Sequence, residues 1–380
     1  MLRSLFILGC SLALCLGASL QQVSNFGGNP TGIRMYIYVP DKVAANPAVI
    51  VALHPCGGSA SQWYSGTELP SYANQYGYII IYPETPNMSN CWDVQNPASL
   101  THGAGGDAQG IVNMVSYTLQ TYKGDSARVY VMGFSSGGMM TNLLAGSYPD
   151  VFAAGSANSG VADACFAGAQ SATPASANQT CAQGQIQHTA AEWGNFARNS
   201  YPGYTGKRPR MMIWHGLNDG LVVPKCAQQA LDQWSNVLGV SASKTVTGVP
   251  SAEFTQTVYG DGSQLQGFLG QGRGHEPMAN VPLMLKFFGI DGTAQPTSTQ
   301  GPSSPSVTSS KPTTSIPSTT KPATTAPQWG QCGGNGWTGP TLQAIPQDVI
   351  LYALCICLKG KLLSCSRTAA SRRFAAILGP

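Results

Sequence analysis

Short apolar runs recur between residues 34 and 290, each bounded by turn-forming residues. Runs at 34–39, 49–53, 78–82, 129–132 and 211–214 read as strands, and 254–259 as a sixth. Helical spacing separates several of them. Ile111, Met114, Val115 and Thr118 share one face of a helix that Asp107 is placed to cap. Residues 226–238 form a second helix, stopped by Gly239, and 281–288 a last one. Strands alternating with helices predict an α/β fold with a mostly parallel sheet covered on both faces.

The periodic pattern is confined to the middle of the chain. Residues 1–19 combine Arg3, an apolar stretch from Leu5 to Leu16 and the small residues Gly17, Ala18 and Ser19, the layout of a secretory signal peptide. That stretch is too short to cross a bilayer. Residues 293–327 are mostly Ser, Thr and Pro with almost nothing apolar, so they cannot form a core and read as an extended, O-glycosylated linker. The folded domain is therefore expected over residues 20–292.

Charged residues make up only 9% of the 380-residue chain, against roughly 25% in an average soluble protein. Solubility must come from neutral polar groups and glycans, for which Asn87 and Asn178 head sequons. Five of the basic residues, set against one acid, lie in residues 342–380 and account for the whole net charge of +4. The rest of the chain is neutral overall, which argues against nucleic acid or an anionic membrane as partner. The five histidines show no His-x-x-His spacing, so no metal and no cofactor are implied. In a secreted chain the domain's cysteines, Cys56, Cys91, Cys165, Cys181 and Cys226, should pair, and an odd number leaves one over. We favour Cys56–Cys91 and Cys165–Cys181, with Cys226 as a buried thiol; spacing alone does not fix the connectivity.

The chemistry is carried by Gly133-Phe134-Ser135-Ser136-Gly137, which follows an apolar run and precedes a helix-like stretch. In a chain with 45 glycines a G-x-S-x-G pentapeptide alone decides little, but its strand-to-helix setting is that of a nucleophile elbow. Downstream, the 211–214 run leads through His215 and Gly216 to Asp219, and a later glycine-rich loop carries His275. Serine, then acid, then histidine is the chain order of α/β-hydrolases. Upstream, the buried run 49–53 delivers Pro55-Cys56-Gly57-Gly58 into the loop that supplies half of an oxyanion hole; the donors are then the amides of Cys56 and Ser136. His54 and His215 read as residues bracing these loops, and His102 and His188 as loop or surface residues. Trp92 and Trp193 are candidates to line the substrate groove, with core packing as the alternative.

Taken together, Leu53 to Ser59, Asn90-Cys91-Trp92-Asp93, Gly133 to Met140, Ala191-Glu192-Trp193-Gly194-Asn195 and Trp214 to Asp219 resemble the fungal acetylxylan and feruloyl esterases of carbohydrate esterase family 1, relatives of the polyhydroxybutyrate depolymerases. The resemblance covers about residues 20–290. It implies Ser135 as nucleophile, Asp219 as acid and His275 as base in a secreted, monomeric serine esterase. The expected substrate is acetylated xylan. A feruloyl esterase acting on feruloylated arabinoxylan, or a polyester depolymerase, is the alternative on the same scaffold; a non-catalytic carbohydrate-binding protein is the reading from another class.

Residues 328–341, from Trp329-Gly330-Gln331-Cys332 to Thr341, resemble the opening of the small fungal cellulose-binding module, with Trp329 matching one of its cellulose-facing rings. Gln343 then stands where that family has a cysteine, and residues 342–380 form an aberrant tail without the closing aromatic pair. The expected origin of such a tail is a retained intron or frame error after Thr341, which an uninterrupted transcript through codon 342 would exclude. Cellulose is therefore expected as a partner only if the module is complete in the true product.

Overall fold

The computed structural model describes residues 18–169 and 179–290. In chain order the elements are β1 (Leu20–Val23), β2 (Arg34–Tyr38), β3 (Val49–Leu53), α1 (Ala60–Ser65), α2 (Leu69–Tyr76), β4 (Ile79–Glu84), α3 (Gly106–Tyr122), β5 (Val129–Phe134) and α4 (Ser136–Ser147). They continue as β6 (Ala154–Asn158), α5 (Gln179–Ala182), α6 (Ala190–Asn199), β7 (Arg210–Gly216), α7 (Lys225–Leu238), β8 (Ala242–Thr247), β9 (Phe254–Tyr259), β10 (Leu265–Gly270) and α8 (Val281–Phe288).

All ten strands form one sheet in the order β1-β2-β4-β3-β5-β6-β7-β10-β9-β8. The six central strands, β4 to β10, run parallel, while β1 and β2 at one end and β9 and β8 at the other are antiparallel. The two edges are blunt: β1 has four residues, and β8 is mostly exposed, carries Lys244 and shifts register between Ala242 and Lys244. Strands β3, β4 and β5 are buried at every position, as their apolar runs require; only Glu84, at the end of β4, is charged. One face packs against α3, α4, α6 and α7, the other against α1, α2 and α8.

Strand β6, Ala-Gly-Ser-Ala-Asn, has no counterpart in the apolar pattern, yet every residue is buried. Small size is what the site demands, because α4 lies directly on it: a Cβ on Gly138 would come within 2.5 Å of Asn158 O, and one on Gly160 within 2.7 Å of Gly138 C. Strand β10 and the short helices α1, α2 and α6 likewise go beyond the sequence reading. A Thr189/Glu192 capping box opens α6 and was available as a signal. Asp107 does not cap α3. Gly105 occupies that position, and the Asp107 carboxylate turns away to accept hydrogen bonds from Asn87 Nδ2 (2.8 Å), Thr85 Oγ1 (3.3 Å) and the Asp93 amide (3.2 Å).

Asn87, which heads one of the sequons, is half-buried, and its amide nitrogen donates to the Asp107 carboxylate. Asn178, the signal segment to residue 17, the linker, Trp329 and the tail lie outside the described residues.

Candidate active site

The elbow is built by steric necessity. Ser135 sits at φ 56° and ψ −120°, between the end of β5 and the first turn of α4. A Cβ on Gly133 would lie 2.4 Å from the backbone of Gly137, and one on Gly137 would lie 2.3 Å from Leu53 O. Both positions therefore have to be glycine for strand and helix to meet at this angle. The Ser135 amide donates to Asn158 O (2.8 Å), which locks the strained residue to the neighbouring strand.

Asp219 follows β7 and His275 follows β10, adjacent parallel strands whose loops meet above the elbow. The loops are tied by main-chain bonds, Leu217 N–H to Gly270 O and Asn218 N–H to Arg273 O (each 2.8 Å). His275 Nε2 lies 2.8 Å from Ser135 Oγ, and His275 Nδ1 lies 2.7 Å from Asp219 Oδ2. This geometry places the ring proton on Nδ1 and leaves Nε2 to accept from the serine hydroxyl. Asp219 Oδ1 accepts from the amides of Leu221 (3.0 Å) and Val222 (2.9 Å), and His215 Nε2 reaches Val222 O at 2.7 Å and Asp219 Oδ2 at 3.4 Å. Burial opposes charge on Asp219, but the bonds from His215, His275 and the Val222 amide outweigh it and hold its carboxyl well below the usual carboxylate range. Arg273 and Glu276, flanking the histidine, pair with each other at 2.7 Å and brace the loop.

Ser136 opens α4, where its amide has no carbonyl in the helix to meet. Cys56 lies in the turn after β3, closed by Gly58 N–H to Pro55 O (3.0 Å), and is bonded to Cys91. Cys165 is bonded to Cys181, and Cys226 is a buried free thiol. His54 is fully buried; burial holds its imidazole below the ordinary value, and its Nδ1 donates to Pro55 O (2.7 Å).

The two tryptophans do not line a groove. Trp92 is wholly buried, its indole N–H donating to His54 O (2.8 Å). Trp193, on α6, is buried against His188 and Phe196. Sequence shows an aromatic residue but not which way its ring turns. What borders the nucleophile strand instead is a cavity of about 220 Å³ lined by Trp63, Thr67, Met132, Phe134, Asn158 and Pro277 among others. Phe134 joins it to the site, its ring 5.0 Å from that of His275. Among the described residues no group of three or more His, Cys, Asp or Glu is arranged to hold a metal.

Comparison with known proteins agrees with this geometry. Residues 33–255 match the family described as Esterase PHB depolymerase, and residues 328–342 match the fungal cellulose binding domain. Feruloyl esterase B of Neurospora crassa is 67% identical over 288 residues, 76% of this chain and 98% of that protein. Acetylxylan esterase A of Talaromyces purpureogenus is 45% identical over 332 residues, 85% of this chain and 86% of that protein. The solved acetyl xylan esterase from Aspergillus awamori superposes with a TM-score of 0.68 at 40% identity, covering 72% of this chain and 99% of its own. An α/β-hydrolase sheet with these relatives makes the chain a carboxylic ester hydrolase and a member of the PHB depolymerase esterase family.

Proposed function

We propose that the chain is a secreted serine esterase that removes ester substituents from xylan, acetyl groups in the leading reading. The observation that carries it is the continuous relay from Asp219 through His275 to Ser135, with both bonds under 3 Å. His275 takes the hydroxyl proton as Ser135 attacks the ester carbonyl, Asp219 stabilises the imidazolium, and the amides of Cys56 and Ser136 hold the tetrahedral oxyanion. The proton passes from the imidazolium to the sugar oxygen as its bond to the acyl carbon breaks, releasing the sugar hydroxyl, and water then attacks the acyl-enzyme by the same route. Residues 1–19 act as the export signal, 20–292 as the esterase and 293–327 as the linker. Cellulose anchoring requires completion of the module begun at 328–341.

A second reading has its own support. The relatives sharing about two thirds of their residues with this chain are named for feruloyl ester hydrolysis, and the 220 Å³ cavity beside the elbow far exceeds what an acetyl methyl fills. Initial rates on acetylated xylan and methyl ferulate, with Ser135→Ala as the blank, separate the two. Acetate release that vanishes in the variant supports the leading reading. Dominant ferulate release keeps the mechanism and changes the acyl group; activity surviving in Ser135→Ala refutes the triad.

A further inference from the structure

The first part of the loop preceding α3, residues 85–92, is bound to the turn after β3. Gly57 N–H donates to Ser89 O (2.7 Å), Asn90 Nδ2 to Gly58 O (3.1 Å), and Cys91 is bonded to Cys56. Thr85 N–H points at His54 Nε2 (3.4 Å). At the centre lies Trp92, with no exposed surface and its ring 4.9 Å from that of His54. It has two N–H groups, and they go to different places. The indole N–H donates to His54 O (2.8 Å), two residues before Cys56, and the main-chain N–H donates to Ser136 Oγ (2.9 Å). One residue thus bridges the two backbone segments whose amides face the developing oxyanion.

We propose that Trp92 is a positioning residue for the oxyanion hole, its paired N–H groups fixing the spacing between the Cys56 and Ser136 amides. The inference rests on the assignment of those amides as oxyanion donors. The segments also meet directly, Gly137 lying against Leu53 O and His54 O, but Cys56 lies beyond that contact in a turn, and Ser136 is held at the elbow from the side of β5 and α4. The residue after Trp92 is itself fixed, since the Asp93 amide donates to Asp107 Oδ2 (3.2 Å) and the Asp107 amide donates back to Asp93 Oδ2 (3.2 Å). The clamp therefore stands on a rigid base. Preorganised donors act on the transition state more than on bound substrate, so loosening them lowers kcat and leaves KM nearly unchanged.

Trp92→Phe keeps the ring and removes the indole donor. Trp234→Phe is the matched control, because Trp234 is equally buried and loses an indole bond of 2.9 Å, to Asn142 Oδ1, outside the site. With p-nitrophenyl acetate, Trp92→Phe is expected to lower kcat about 10- to 100-fold with KM changed less than about two-fold. Affinity for an aryl boronic acid, which mimics the tetrahedral intermediate, should fall by the same factor as kcat/KM, while Trp234→Phe keeps wild-type kcat at a similar loss of melting temperature. Folded Trp92→Phe with wild-type kcat, or equal activity losses in both variants, overturns the proposal. Should Trp92→Phe not fold, Ser136→Ala tests the other arm: it removes the acceptor of the Trp92 amide and keeps the Ser136 N–H, so undiminished kcat and boronate affinity overturn the clamp. Residual activity in Ser135→Ala would refute the site assignment itself, a different outcome from either.

Discussion

Replacing Gly137 with alanine tests whether the elbow is as sterically closed as it looks. The added Cβ would stand 2.3 Å from Leu53 O and 2.8 Å from His54 O, all of it main chain that no rotamer change can move. Leu53 ends β3, which is hydrogen-bonded between β4 and β5 in the sheet centre, so the first turn of α4 is the part that must yield. Opening the gap from 2.3 Å to the 3.0 Å that real Cβ contacts respect shifts the Ser136 amide by a comparable distance. A misplacement near 1 Å in a catalytic array costs about 100-fold in rate, and overpacking costs about 1–3 kcal/mol of stability. The assay is kcat and KM on a soluble aryl acetate beside a thermal melt. Gly203→Ala serves as comparison, since Gly203 has φ 80° and open space where a Cβ would go; it should lose about 1 kcal/mol of stability and keep its kcat. Gly137→Ala with wild-type kcat would show that the helix and loop accommodate a methyl group and that the steric argument for the elbow is wrong.

Two further outcomes concern stability. Asp163 is buried, its Oδ1 has no hydrogen-bond partner, and burial raises its pKa to about 7. The fold therefore favours the protonated acid, so its stabilisation is complete below the unfolded value of about 4 and is lost as pH rises toward 7. Melting temperatures should fall between pH 5 and 7 in the wild type and fall less in Asp163→Asn; parallel curves would exclude Asp163 as a source. The double substitution Cys56→Ala and Cys91→Ala releases a loop with a sequence separation of 35, which in the chain-entropy account costs about 4 kcal/mol. Denaturant titration should show that loss together with lower kcat, because the same bond anchors the turn bearing the Cys56 amide; an unchanged midpoint would contradict it.

The site was legible where chemistry and chain order reinforce one another. Ser135, Asp219 and His275 were identifiable because an elbow, an acid after a buried strand and a histidine in a glycine-rich loop occur in the order one fold uses, and the structure brings the three within hydrogen-bond reach. Orientation was not legible. Trp92 reads equally well as a groove wall or a core residue until its partner, His54 O, is placed beside it. Asp107 carries the residue type of a helix cap, but its carboxylate is taken by groups from the loop at 85–93, a tertiary claim that local propensity does not register. Strand β6 failed to announce itself because the close approach of α4 selects small side chains, which erases the β-branched signal by which strands are recognised.

The ends of the sheet bear on how copies of the molecule meet one another. An unpaired strand is a template onto which another chain can add, and long flat edges invite ribbons and precipitates. Here one end is only four residues long, and the other breaks step at a bulge and raises a lysine from its rim. A ten-stranded sheet with such ends can be crowded against its neighbours without extending into them.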